Sequence, residues 1–134
     1  MNTKNISLGL LVLRVGIGSL MLLHGVAKLG PTFDIVTKMV VENGLPYWIS
    51  YVVYVGEIIA PLMLIAGFRT RIAAVIFVFN CLTAISLAHS ANLFSLNPYG
   101  GWKEELLGLY GLGAISLFFT GGGRISLSSG NVWD

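Results

Sequence analysis

The chain has 134 residues, a net charge of +2, 55% hydrophobic residues and only 10% charged ones, with a mean hydropathy of +0.82. Soluble domains carry about 25% charged residues, so this composition excludes an ordinary soluble enzyme and reads as one integral membrane domain. The small charge, with no basic patch, excludes nucleic acid as a partner. A lone Cys81 excludes an intramolecular disulfide or dithiol chemistry carried by this chain alone.

The first apolar run is Ile6–Leu29. Lys4 would open a short signal-like region, but Arg14 interrupts the apolar stretch, and His24 and Lys28 stand where a small-residue cleavage site would be expected. It is read as a retained transmembrane helix. Phe33, Val36 and Val40 then recur at helical spacing beside Thr37, Lys38 and Glu42, which predicts a short amphipathic helix at the membrane surface. Asn43, Gly44 and Pro46 close it.

Three further runs follow at Trp48–Phe68, Arg71–Ser90 and Trp102–Thr120. Each approaches the roughly 20 residues that span a bilayer as a helix, and backbone in lipid must pair within itself. The predicted fold is therefore an all-α, antiparallel bundle of four transmembrane helices, with an interfacial helix between helices 1 and 2. Gly67 to Arg71 is short enough to force a hairpin. Ala91–Gly101 reads as a polar loop, and the segment after Gly121 as irregular. Arg69 and Arg71 in the shortest loop, with Lys4 and Arg124 on the same side, place both termini in the cytoplasm.

Two charges lie deep in these runs, Arg14 in the first and Glu57 in the second. A charge at the centre of a bilayer costs roughly 2.5–3.5 kcal/mol on insertion scales. Counting helical rise from the cytoplasmic ends puts Arg14, Glu57, Asn80 and Tyr110 between roughly 12 and 16 Å in, one per helix. The expectation is an Arg14–Glu57 ion pair completed by Asn80 and Tyr110, acting as structural glue or as part of a polar path. A second layer near the outer face would contain His24, His89, Lys28 and the adjacent Glu104 and Glu105. Those groups could bind an anion, hold a metal, ligate a haem between the two histidines or relay protons, or they could simply sit at the interface. The spacing is not a metal motif. Gly9 with Gly16, and Gly18 with Gly25, are read as sites of close helix approach, and Pro61 as freeing the carbonyl of Glu57.

Several stretches taken together resemble the DoxX family. They are Leu13-Arg14-Val15, His24 to Leu29, Gly44-Leu45-Pro46, Glu57, Gly67 to Ala74, His89, Gly101 to Glu105, and Thr120 to Leu127. The resemblance implies a small four-helix protein of the bacterial inner membrane. Its implied functional set is Arg14, His24, Lys28, Glu57, His89 and Glu105. One branch of the family resembles a subunit of thiosulfate:quinone oxidoreductase, so the expected ligand is a quinone, and the expected partner is a membrane or periplasmic redox protein. Another branch assists maturation through thiol chemistry, which a lone Cys81 does not suit. No nucleotide, flavin or iron–sulfur motif is present, so the chain is not expected to be a complete enzyme alone. Two other functions fit the same sequence: a non-catalytic anchor or assembly factor, and a small transporter made as a homo-oligomer.

Overall fold

The computed structural model describes residues 3–88 and 93–134. Its elements are helices: α1 (Thr3–Ala27), α2 (Thr32–Glu42), α3 (Ile49–Ala66), α4 (Thr70–Ala88) and α5 (Glu105–Thr120). Among the described residues there is no strand, and an isolated bridge joins Leu96 to Trp102. α1, α3 and α4 are long and apolar enough to cross a membrane, and α5 is a shorter apolar helix. Val12, Leu23, Phe79, Leu112 and Phe119 point outwards. That apolar exterior matches a lipid solvent, in which outward leucines and phenylalanines cost nothing.

The helices pack in the cyclic order α1, α3, α4, α5, with α4 lying most closely along α5 and α1 along α3. Their core is made of small and large residues in alternation: Ala60, Ala73, Ala74 and Ala114 let the backbones approach, and Met21, Leu64, Phe77 and Leu117 fill the space between. Cys81 is buried in this core as an apolar filler. Gly18 and Gly25 both face α3, whereas Gly9 and Gly16 face open space within the chain. Only one of the two expected glycine pairs therefore serves packing inside the monomer.

α5 starts at Glu105, later than the apolar run at Trp102. The three residues before it form a turn. The Trp102 indole donates to the Leu93 carbonyl at 2.6 Å, and its ring lies so close to Gly108 that a Cβ there would collide with it.

Arg14 is 1% exposed, but it is not paired with Glu57. Its guanidinium donates to the carbonyls of Leu64 and Ile65, both at 3.3 Å, and to the carbonyl of Ile125. Both lie in the last turn of α3, where carbonyls run out of intrahelical donors, and that of Leu64 also accepts from the Gly67 amide at 3.0 Å. Side chains on a helix lean toward its N-terminus, so the long Arg14 stem reaches away from the level of Glu57 and toward the α3–α4 turn. Gly67 ends α3 in the left-handed conformation, φ 69°, and its neighbour Phe68 donates back to Met63 at 2.9 Å, as a Schellman cap does. Glycine is required twice at this position, because a Cβ would also overlap the Arg14 guanidinium.

The segment after α5 has no regular structure, as expected, but it is docked onto this turn. Leu127 and Ser128 donate to the carbonyls of Ala66 and Gly67, each at 3.1 Å, and the Arg71 amide donates to Trp133 at 3.2 Å. Asp134 accepts from the Ser128 hydroxyl and from the amides of Gly130 and Asn131, and pairs with Arg69 at 3.5 Å.

Replacing Arg14 by Leu should cost roughly 3 kcal/mol, since three backbone carbonyls lose a charged donor. Lys at this position should recover only part, because an ammonium cannot fork between them. Thermal unfolding in detergent measures both. The Ser128 hydroxyl, ahead of any other contact, holds the Asp134 carboxyl below its ordinary range. A depressed carboxyl contributes stability above its unfolded pKa and loses it as pH falls through the folded one. Tail docking should therefore persist at neutral pH and weaken below about pH 4. Hydrogen exchange of the Gly130 and Asn131 amides reads this directly, with Asp134→Asn giving fast exchange at every pH.

Candidate functional site

Glu57 lies in the middle of α3, where the helix widens into a π turn over Val55–Ile59. Pro61 has no N–H to return to the Glu57 carbonyl. The Ala60 amide accordingly reaches back to Val55, one residue further than in an α-helix. Such bulges re-aim side chains and are frequent at functional sites. α1 crosses here on Gly25, and a Cβ at Gly25 would run into the Glu57 carbonyl and the Ile58 side chain. Gly56 has a parallel role, because the Asn80 side chain of α4 occupies the space a Cβ would need.

The partner of Glu57 is Lys28, one residue past the end of α1. Its ammonium meets Glu57 Oε1 at 2.5 Å, with the carboxylate side chain 5% exposed and the lysine 26% exposed. The N-terminal lean that carries Arg14 away from Glu57 brings Lys28 back toward it. Glu57 Oε2 is buried with no partner. Tyr54 fixes the approach by donating to the Lys28 carbonyl at 2.8 Å.

This ion pair lines a cavity of about 480 Å³ between α1, α3, α4 and α5, with α2 lying over it. Size and lining match a site for a small amphipathic molecule: mostly apolar walls with a few converging polar groups. Met21, Val53, Leu87 and Leu107 are among the apolar walls, and Ile35, Val36, Met39 and Val40 of α2 form the cover. α2 is held down by Phe33, whose ring stacks on Tyr54 at 5.0–5.3 Å from the two tyrosines it meets, Tyr51 and Tyr54. The polar groups are Glu57, Lys28, His24, Asn80, Tyr110, Glu104 and Lys103, with the hydroxyls of Thr32 and Thr83. His24 and Tyr110 meet edge to face, with ring centroids 6.4 Å apart. Asn80 contacts the Met21 sulfur at 3.9 Å.

The two expected polar layers are thus redistributed. Glu57, Asn80 and Tyr110 share one cavity with His24 and Lys28, and Arg14 stands apart at the α3–α4 turn. Glu105 is exposed and lies against Gly101, whereas its neighbour Glu104 is 4% exposed and faces the cavity. One residue on a helix turns the side chain by about 100°, so the inward carboxylate could be chosen only once the helix start was known. His89 lies outside the described residues. Among those described, no three His, Cys, Asp or Glu side chains are grouped to hold a metal ion.

Lys28→Met should cost roughly 3 kcal/mol, because it strands a buried carboxylate, while the double variant with Glu57→Leu should cost clearly less than the two single changes together. Thermal unfolding of the three variants in detergent closes the cycle. Additive costs would mean that the pair carries no coupling.

No curated protein and no solved structure matches the chain. A family model, DoxX, matches residues 9–90. That span contains Arg14, Lys28, Glu57, the π turn and the α3–α4 hairpin, and with three long apolar helices it describes a multi-pass membrane protein. The chain belongs to the DoxX family.

Proposed function

We propose that this protein is the membrane subunit of a quinone-linked oxidoreductase system, and that the cavity under α2 receives the head of a quinone-type ligand. One observation carries the reading: a buried carboxylate, half paired with Lys28 and half without a partner, opens onto a cavity among apolar helices. Structural glue alone would favour a fully satisfied pair in a closed core. An isoprenoid tail would leave between the helices into lipid, and the ring would lie beside Tyr110 and His24.

Reduction of a quinone to its quinol takes up two electrons and two protons. Lys28, Glu57 and His24 form a set of proton-exchanging groups at the ring position. Arg14 holds the fold and takes no part in this chemistry. The electrons come from a separate redox protein of the membrane or periplasm, because the chain carries no redox motif of its own. In this reading four helices cross the bacterial inner membrane, α5 included, and α2 lies in the outer interface with Tyr47 and Trp48. Both termini are cytoplasmic, with Arg69, Arg71, Lys4 and Arg124 on that side.

A second reading, a non-catalytic anchor for a partner enzyme, is favoured by the loop before α5. Phe94 is 93% and Tyr99 96% exposed there, more than an aromatic gains from staying in water. In the quinone reading the same rings mark the contact with the electron donor.

An oxidised-minus-reduced ultraviolet–visible difference spectrum of the protein purified in mild detergent tests the proposal. A quinone band in near-stoichiometric amount, diminished in Glu57→Gln, is expected. A flat spectrum that stays flat after incubation with added quinone would exclude the quinone and leave the anchor.

A further inference from the structure

We infer that α2 is a hinged lid over the cavity, latched by Phe33, which opens to admit a ligand from the membrane surface. A lid serves whatever ligand the cavity takes, so it does not rest on the quinone reading. The way α2 is attached carries the inference: it is held by apolar contact alone and is flanked by two glycines.

Among the described residues, no hydrogen bond or ion pair leads from segment 30–45 to the helices beneath it. The amides of Phe33, Asp34, Asn43, Gly44 and Leu45 all donate to carbonyls of the same segment, as does the Asn43 side chain. Lys38 pairs with Glu42 of its own helix at 3.9 Å. The C-terminal segment, which has no helix at all, is by contrast tied to the α3–α4 turn through Leu127, Ser128 and Asp134. What holds α2 is Val40, 1% exposed, and Phe33, whose ring centroid lies 5.0 Å from that of Tyr51 and 5.3 Å from that of Tyr54. Val36 and Met39 face the cavity, so they gain less dispersion contact than residues seated on another helix. The Thr37 hydroxyl is buried without a partner, and so is that of Ser50, which shares the inward face of α3 with Val53 and Glu57. Buried polar groups of this kind favour a state that gives them water.

Both ends of α2 can pivot. A side chain at Gly30 or at Gly44 would meet open space, and Gly44 holds a φ of 75°, which glycine adopts without strain. Hinges are a few element-terminal residues that absorb such backbone changes. The first pivot lies just past a fixed point, because Tyr54 donates to the Lys28 carbonyl at 2.8 Å and Lys28 is paired with Glu57. Tyr54 thus carries both the contact with the latch ring and the anchor of the ion pair. Lifting α2 breaks the first and leaves the second, so the cavity opens without separating Lys28 from Glu57. The exposed lining residues of the apolar helices, His24, Thr83 and Leu106, sit where the surroundings are lipid. Toward water the cover is α2, with Thr32 and Lys103 at its rim.

Two measurements on the full chain in lipid nanodiscs, with Cys81→Ala throughout, test the lid. The first is the spin-label distance between Lys38→Cys on α2 and Leu109→Cys on α5, both exposed positions. A minor population displaced from the main distance is expected, and Phe33→Ala should raise its ratio to the main one about tenfold, as loss of a packed aromatic contact implies. The second is labelling of Ala84→Cys, in the cavity wall, by a charged, water-soluble thiol reagent. Phe33→Ala should speed it by a similar factor, while Ala114→Cys, in the core, stays unlabelled. If Ala114→Cys becomes reactive, Phe33→Leu, which keeps an apolar side chain and removes the ring, takes the place of Phe33→Ala. One unchanged distance in both the latched and the unlatched protein would overturn the lid. So would labelling of Ala84→Cys at a rate that loss of the latch does not alter, which would mean that the cavity is reached between the helices. Neither readout uses a quinone, so the result stands whatever becomes of that reading.

Discussion

A permanently charged guanidinium that is 1% exposed cannot be left to itself. Arg14 cannot lose its proton to escape burial, so the surrounding backbone must supply acceptors. It does so from two places that are far apart in the chain. The end of α3 presents the carbonyls of Leu64 and Ile65 from its last turn, and the segment after α5 presents Ile125. One side chain thereby joins the first helix, the α3–α4 turn and the C-terminal segment. The left-handed Gly67, the docked Leu127 and Ser128, and the Asp134 latch all lie around that junction. The terminal-side end of the bundle is a polar, hydrogen-bonded plug, and the cavity beside Glu57 lies toward the opposite end.

At that opposite end the same device works with a different result. Lys28 compensates only one oxygen of Glu57, and the geometry explains why the pair is incomplete. The π turn and Pro61 push the Glu57 carbonyl outward against Gly25, so α1 sits as near to α3 as backbone allows. The lysine must then reach the carboxylate from beyond the helix end, with a single point charge and no fork. An Arg at position 28 could cover both oxygens. The half-satisfied carboxylate is what supports the proposed site, and α2, clamped through Phe33 to Tyr51 and Tyr54, covers it on one side.

These two ends give the family match a physical content. The matched residues, 9–90, include the plug residue Arg14 and the ion pair, while Tyr110 and Glu104, which complete the cavity, lie beyond them. The first part of the chain thus supplies the charge chemistry, and α5 adds an aromatic ring and a second carboxylate.

Much of this was legible in the residues. Apolar runs located the helices, the i, i+3, i+7 spacing of Phe33, Val36 and Val40 located α2, and the shortness of the Gly67 to Arg71 link dictated the hairpin, because each of these depends on local periodicity and chain length. Glu57, Lys28, His24, Asn80 and Tyr110 stood out as polar groups in an apolar setting. Their pairing was not legible. Counting helical rise locates a Cα, whereas Arg and Lys carry their charge several ångström from it and in the direction the helix imposes. Arg14 and Glu57 therefore start at similar depth and end with different partners. The inward choice of Glu104 over Glu105 depended on a helix start set by Trp102 and Leu93, and the docking of the C-terminal segment on carbonyls that become available only where α3 stops. What the chain determined by itself is which groups must leave water; which of them meet was decided by the tertiary structure, since only packing sets the angle, the reach and the free acceptors at each helix end.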